Sequence, residues 1–198
     1  MPAVETQLNH DQPAPPITKH TTLLSVDVEC NGLHGKAFAV GAVLIDMTGK
    51  IIDEFQARCP IEGEVDPWVQ KHVIPPLKDF NQTHRDARTM RDAFWQWYKA
   101  AKEQADYVMF DNGYPVEDRF FIDCQDDDID ERYWDHPFPV LELASLLIQV
   151  GIKPLAVRYR LVEDEIVGQP NLQHNPRFDS WVSALAAIKA FKLSGRLA

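Results

Sequence analysis

Three apolar, β-branched segments follow one another at short intervals: TTLLSVDVE ending at Glu29, KAFAVGAVLID from Lys36 to Asp46, and IIDEFQARC from Ile51 to Cys59. Val, Ile and Thr are stiff at the first side-chain torsion and suit a pleated strand. The links between these segments are far too short for the crossover that parallel neighbours need. The second link, Asp46-Met47-Thr48-Gly49-Lys50, carries a glycine at its end. The chain is therefore expected to open its folded part with an antiparallel three-strand meander.

Beyond Cys59 the pattern changes. Residues 60–85 are rich in Pro and His and read as loop, with a short helical turn at Trp68 to His72. Thr89 with Asp92 resembles a capping box, and Met90, Phe94, Trp97 and Ala101 recur at helical spacing. Ala105–Asp111 (ADYVMFD) reads as a short buried strand, and Asn112-Gly113-Tyr114-Pro115 as a turn into a helix near Pro115. Pro139–Gly151 reads as a helix closed by Gly151. Residues 152–173 show no clear period. Asn175-Pro176 looks like a cap and first turn, leading to a last amphipathic helix through Ser180–Leu193. A meander followed by helix–strand alternation predicts an α/β fold, a mixed sheet with added parallel strands, flanked by helices.

Residues 1–20 hold four of the 14 prolines and no apolar period, so they read as a flexible leader before a single domain at 21–198. That leader has no apolar core of a secretory signal. The longest clean apolar run, Ala37 to Ile45, is strand-sized, well short of the ~18 residues a membrane span needs. Three cysteines at no metal-like spacing suit a reducing cytoplasm and argue against a disulfide framework or a thiolate zinc site. A net charge of -10 argues against a broad nucleic-acid-coating face but leaves room for an enzyme that reaches phosphate through bound cations. Six acids lie between Asp123 and Glu131 (DCQDDDIDE); without the glycine and closing glutamate of a calcium loop, they read as a solvated loop.

Two constellations carry chemistry. Asp27 and Glu29 lie at i and i+2 of the first strand, on one face and about 6–7 Å apart. Carboxylates among Leu23, Leu24, Val26 and Val28 are costly unless paired or cation-bound; an edge strand with a wet face is the bland alternative. The second is His174 with Asp179. If Asn175 caps and Pro176 begins the helix, Asp179 lies in its first turn, where a carboxylate is favoured in any case, and His174 projects from the preceding loop.

Taken together, LLSVDVECNGL, the apolar-Gly-Ala step in AFAVGAVLID and H-x(4)-D in HNPRFDSW resemble the DEDDh branch of the DnaQ-like 3'→5' exonucleases, with its RNase H-like fold, over roughly residues 22–193. The second motif, FDNGYPVEDRFFID, matches least well. Asp111 stands where the family has His, Asn112 is kept, and one residue is inserted before the acid. Glu117 and Asp118 both remain open as that acid, with Asp111 a third choice that ends a strand. Cys30 and Asn31 replace the family's usual threonines, and Leu33 sits at its apolar wedge.

The resemblance implies two Mg²⁺ or Mn²⁺ ions held by Asp27, Glu29, Glu117 or Asp118, and Asp179. It implies His174 as general base, and Asn31, Gly32, Leu33 and Asn112 as substrate contacts. Crowded carboxylates repel until divalent ions cancel their charge, and hard oxygen donors favour Mg²⁺ or Mn²⁺ over zinc. The implied activity is metal-dependent release of nucleoside monophosphates from a single-stranded DNA or RNA 3' end, with a homodimer as the family's frequent assembly. Candidate phosphate contacts are Lys36, Arg58, Lys71, Arg85, Arg158, Arg160 and Arg177. Trp68, Phe80 and Tyr114 are candidate base stackers, and Trp95 and Trp97 read as core or interface. Two rivals stand beside this reading: a phosphodiesterase for very short oligoribonucleotides, and a non-catalytic RNase H-like nucleic-acid-binding module.

Overall fold

A computed structural model of the protein describes residues 16–111, 113–154, 158–170 and 172–197. The expected meander is present: β1 (Thr22–Cys30), β2 (Ala37–Asp46) and β3 (Ile51–Arg58) pair antiparallel. β4 (Tyr107–Phe110) joins the other edge of β1 in parallel, and β5 (Val140–Glu142) pairs with β4 in parallel, giving the order β3-β2-β1-β4-β5. The helices in chain order are α1 (Pro67–His72), α2 (Ala87–Lys102), α3 (Glu117–Asp126), α4 (Ile129–Arg132), α5 (Leu143–Gln149), α6 (Arg158–Leu161) and α7 (Pro176–Leu193).

Strand alternation splits the core between the two faces of the sheet. Leu24, Val26 and Val28 of β1 point to one side, where Phe94, Trp95 and Tyr98 of α2 and Phe120 and Phe121 of α3 close over them. Leu23 points to the other side, with Val43, Met109 and the apolar length of α7. Asp27 and Glu29 have the parity of Leu23, so they stand on the α7 face.

Several sequence expectations need correction. The cap of α2 is Asp86 rather than Thr89; the Asp86 carboxylate accepts the Thr89 N–H at 2.7 Å. Pro139–Gly151 is not one helix. Its first residues form β5, because the parallel edge of β4 takes up the Val140–Glu142 backbone. The acidic run is helical rather than a loop, spanning the end of α3 and α4, and Asp127 forms a paired ion bridge with Arg91 at 2.5 and 2.8 Å. α7 is buried almost all round rather than amphipathic, since β1 and β2 cover one side and α5 and α6 the other. Phe80, a candidate base stacker in the sequence, is buried in the core. Trp95 is core, whereas Trp97 packs on Phe55 and donates its indole N–H to Asp53.

Of the expected leader, residues 1–15 lie outside the described residues, and Ile17 bridges to Leu197.

Candidate active site

Gly41 determines where α7 begins. It is the register partner of Asp27 across the β1–β2 ladder, and a Cβ built on it would lie 2.0 Å from the Arg177 backbone nitrogen. Only a residue without a side chain lets the first turn of α7 lie directly on β2. Asp179, in that turn, is thereby brought over the strand pair that carries Asp27.

The start of α7 is built as the sequence suggests. Asn175 accepts the Phe178 N–H and Pro176 is the first helical residue. His174 precedes the cap at a φ of 68°, the left-handed region that a non-glycine residue enters at a cost. Its N–H donates to Asp179 Oδ2 at 2.7 Å, and the Asn175 N–H to Leu172 O at 2.8 Å, which hold the loop in this conformation. The imidazole Nδ1 then lies 3.3 Å from Glu29 Oε1.

Asp27, Glu29, His174 and Asp179 line one cavity of about 450 Å³. Ligand atoms of Glu29, His174 and Asp179 fall within 4.8 Å of one another. Burial pushes the Asp27 carboxyl up to about 6, against the pull of Arg158 and His174. Glu29 is raised well above the ordinary range by burial and then by the charge of Asp27. Asp179 rises to about 9 through burial and the charge of Asp27, opposed by the His174 N–H. Burial lowers the His174 imidazole, which keeps it neutral near pH 7.

Asp27 Oδ2 is buried without a hydrogen-bond partner among the described residues. An orphaned carboxylate oxygen beside two further carboxylates is an arrangement that a divalent cation with oxygen ligands satisfies. The residues thus fit a metal of the Mg²⁺ or Mn²⁺ type.

The second-motif acids are placed differently. Glu117 is fully buried on the stripe of α3 that also carries Phe120, Phe121 and Cys124, and it is the foremost charge, after burial, holding the Cys30 thiol up at about 12. Asp118 is half-buried, and its N–H donates to Gly113 O. Neither lines the cavity, whereas Asp111 does. Asp111 follows the last β1–β4 partner pair, Val26 with Phe110, and so falls beside Asp27. In the sequence it is the third choice because it ends a strand rather than opening a helix; the parallel register that brings it here is not visible from one strand. Asn112 lies outside the described residues.

Around the mouth, Asn31 is committed to bracing: its amide donates to Glu64 O at 2.9 Å and accepts the Asp66 N–H at 2.8 Å. Asp66 in turn caps α1 and so orients Trp68. Gly32 sits at a φ of +77°, and a Cβ there would press on Asp66 at 3.3 Å. Leu33 and Trp68 stand exposed at the rim, and Trp68 meets the His174 ring edge-on at 5.5 Å.

Among the expected phosphate contacts, Lys36 pairs with Glu62 and Arg85 with Asp86, Arg177 pairs with Glu54, and Arg58 ties down Leu77 O and Phe80 O. Arg158 lines the cavity. The sequence offered no signal for Tyr159, whose hydroxyl donates to Asp179 Oδ1.

No family model and no curated protein matches the chain. No helix among the described residues is long and apolar enough to cross a membrane. Among solved structures, exonuclease X in complex with 5' overhanging duplex DNA is similar, with a TM-score of 0.55 and 16% identity, over 87% of this chain and 93% of that one. At that identity the likeness shows the fold alone, a mixed five-strand α/β sheet flanked by helices.

Proposed function

We propose that the protein is a metal-dependent 3'→5' exonuclease that releases nucleoside monophosphates from single-stranded ends of DNA or RNA. The observation that carries this reading is the convergence of Asp27, Glu29, Asp179 and His174 from the first strand and the last helix into one cavity. Three carboxylates raised by burial, two of them also by the charge of Asp27, form a poor resting state and a good cation trap. The duplex DNA bound by exonuclease X, on the same fold, supports a nucleic-acid substrate.

Asp27, Glu29 and Asp179 are the residues that would hold two Mg²⁺ or Mn²⁺ ions; Glu117 and Asp118, the two candidates for the family's second-motif acid, lie outside the lining of that cavity. When bound, the ions supply an acidified water and charge compensation for the departing 3' oxygen. His174 takes the proton from the attacking water. Glu29 beside Nδ1 keeps that nitrogen protonated, which leaves Nε2 as the basic atom. Tyr159 and the His174 N–H fix both oxygens of Asp179. Leu33 and Trp68 at the rim offer apolar surface to the terminal base.

Degradation of 3'- and 5'-labelled DNA and RNA strands, side by side with Mn²⁺ and with a chelator, tests this reading. A 5'-labelled strand should shorten into a ladder from its 3' end only when metal is present. Strands of graded length separate the oligoribonucleotide rival, which fails on long ones. No degradation of any strand in Mn²⁺ or Mg²⁺ would leave the non-catalytic module as the better account.

A further inference from the structure

Arg158 is the sole Lys or Arg among the described residues lining the cavity. Its guanidinium forms an ion pair with Asp111, whose side chain is 1% exposed, while 27% of the Arg158 side chain remains exposed. Ser183 of α7 completes the mount. Its hydroxyl donates to Asp111 Oδ1 at 2.9 Å, and Arg158 Nη1 lies 3.4 Å from the same hydroxyl. Asp111 at the end of β4, Ser183 on α7 and Arg158 on α6 therefore clamp one cation at a fixed place beside the carboxylates.

The electrostatics agree with that placement, since Arg158 draws down the carboxyls of Asp27, Glu29 and Asp179 alike. Lys36 and Arg177 are engaged in ion pairs with Glu62 and Glu54, and Arg58 is engaged on loop carbonyls. A substrate phosphodiester brings a negative charge to a protein whose net charge is -10, into a cavity walled by acids. A planar guanidinium matches two phosphate oxygens at once, which an ammonium does not.

We infer that Arg158 is the residue that contacts the scissile phosphate, and that Asp111, with Ser183, is the positioning group that aims it. This rests on the exonuclease reading above and adds to it a phosphate-binding residue and a structural role for Asp111 other than metal ligation.

The test combines rates on a labelled single strand with calorimetric titration of Mn²⁺, for wild type, Arg158→Gln, Arg158→Lys, Asp111→Asn and the Asp111→Asn/Arg158→Gln pair, each checked by thermal melting. Arg158→Gln should lower kcat/KM by about 10²-fold while Mn²⁺ affinity stays within about threefold. Arg158→Lys should recover only part of the loss, and it carries the test if Arg158→Gln does not fold. Asp111→Asn should cost activity on its own but add nothing to Arg158→Gln, as expected when one residue acts through the other. Full activity in Arg158→Gln or Arg158→Lys overturns the inference. So does a fall in Mn²⁺ affinity of about tenfold or more in Asp111→Asn, which would make Asp111 a ligand. A wild-type protein that degrades no strand defeats the exonuclease reading itself, whereas an active wild type with equally active Arg158 variants defeats this inference alone.

Discussion

Asp27→Asn is expected to abolish strand hydrolysis, by about 10³-fold or more, and at the same time to make the metal-free protein more stable above about pH 6. The first effect follows from the metal. Charge compensation by a bound ion contributes several kcal/mol to such a reaction, and each ~1.4 kcal/mol is a factor of ten in rate. Asn keeps the shape of Asp27 and removes the charge that draws the ion in. The second effect follows from burial. Asp27 is 4% exposed, and its carboxyl titrates at about 6 instead of 3.8. Between those values the folded protein keeps a proton that the unfolded chain has released. Stability therefore falls as pH rises through that window, and the loss persists above it. Asp179, raised to about 9, acts with the same sign over a higher range. Melting curves without metal, from about pH 4 to about pH 8, should slope downward in the wild type and less steeply in Asp27→Asn. A variant that keeps its activity, or that melts lower than wild type near neutral pH, would contradict the account of this residue.

His174→Ala should cost about 10²- to 10⁴-fold in turnover, the usual range for a positioned general base, and leave Mn²⁺ binding mostly intact. The geometry makes this a sharp test, because His174 also lies within ligand distance of Glu29 and Asp179. If the imidazole were a ligand, calorimetric affinity would fall together with the rate. If it is the base, the rate falls alone. Unchanged turnover would remove His174 from the mechanism altogether.

The parts of the site that were legible in the sequence are those governed by local rules. Alternation along β1 placed Asp27 and Glu29 on one face. The Asn175-Pro176 pair announced a helix start, and with it the place of Asp179 in the first turn and of His174 before it. The meander was legible because its connections are short. The parts that were not legible depend on contacts between distant segments. Asp111 joins the cavity through the parallel register of β4 on β1, which no property of ADYVMFD reveals. Arg158 is one of seven candidate phosphate contacts in the sequence, but what singles it out, and Tyr159 with it, is a helical turn in a stretch without apolar period, held by Asp111 and Asp179 rather than by its own neighbours. β5 was hidden for a related reason: three residues pairing at a sheet edge leave no periodic trace beside the leucines that follow. The charges of the acidic run look solvent-seeking in the sequence, whereas Asp127 is matched to Arg91 on α2.

The role of Gly41 belongs between these cases. The apolar-Gly-Ala step was visible, but its function required the structure: it is the place where the last helix touches the sheet, directly across from Asp27.

Crystals soaked in Mn²⁺ and measured at a wavelength where manganese scatters anomalously test the central claim most directly. Two anomalous peaks, about 3.5–4 Å apart and enclosed by Asp27, Glu29 and Asp179, are the predicted result. Manganese bound only elsewhere on the surface, with the space between those three carboxylates empty, would contradict it.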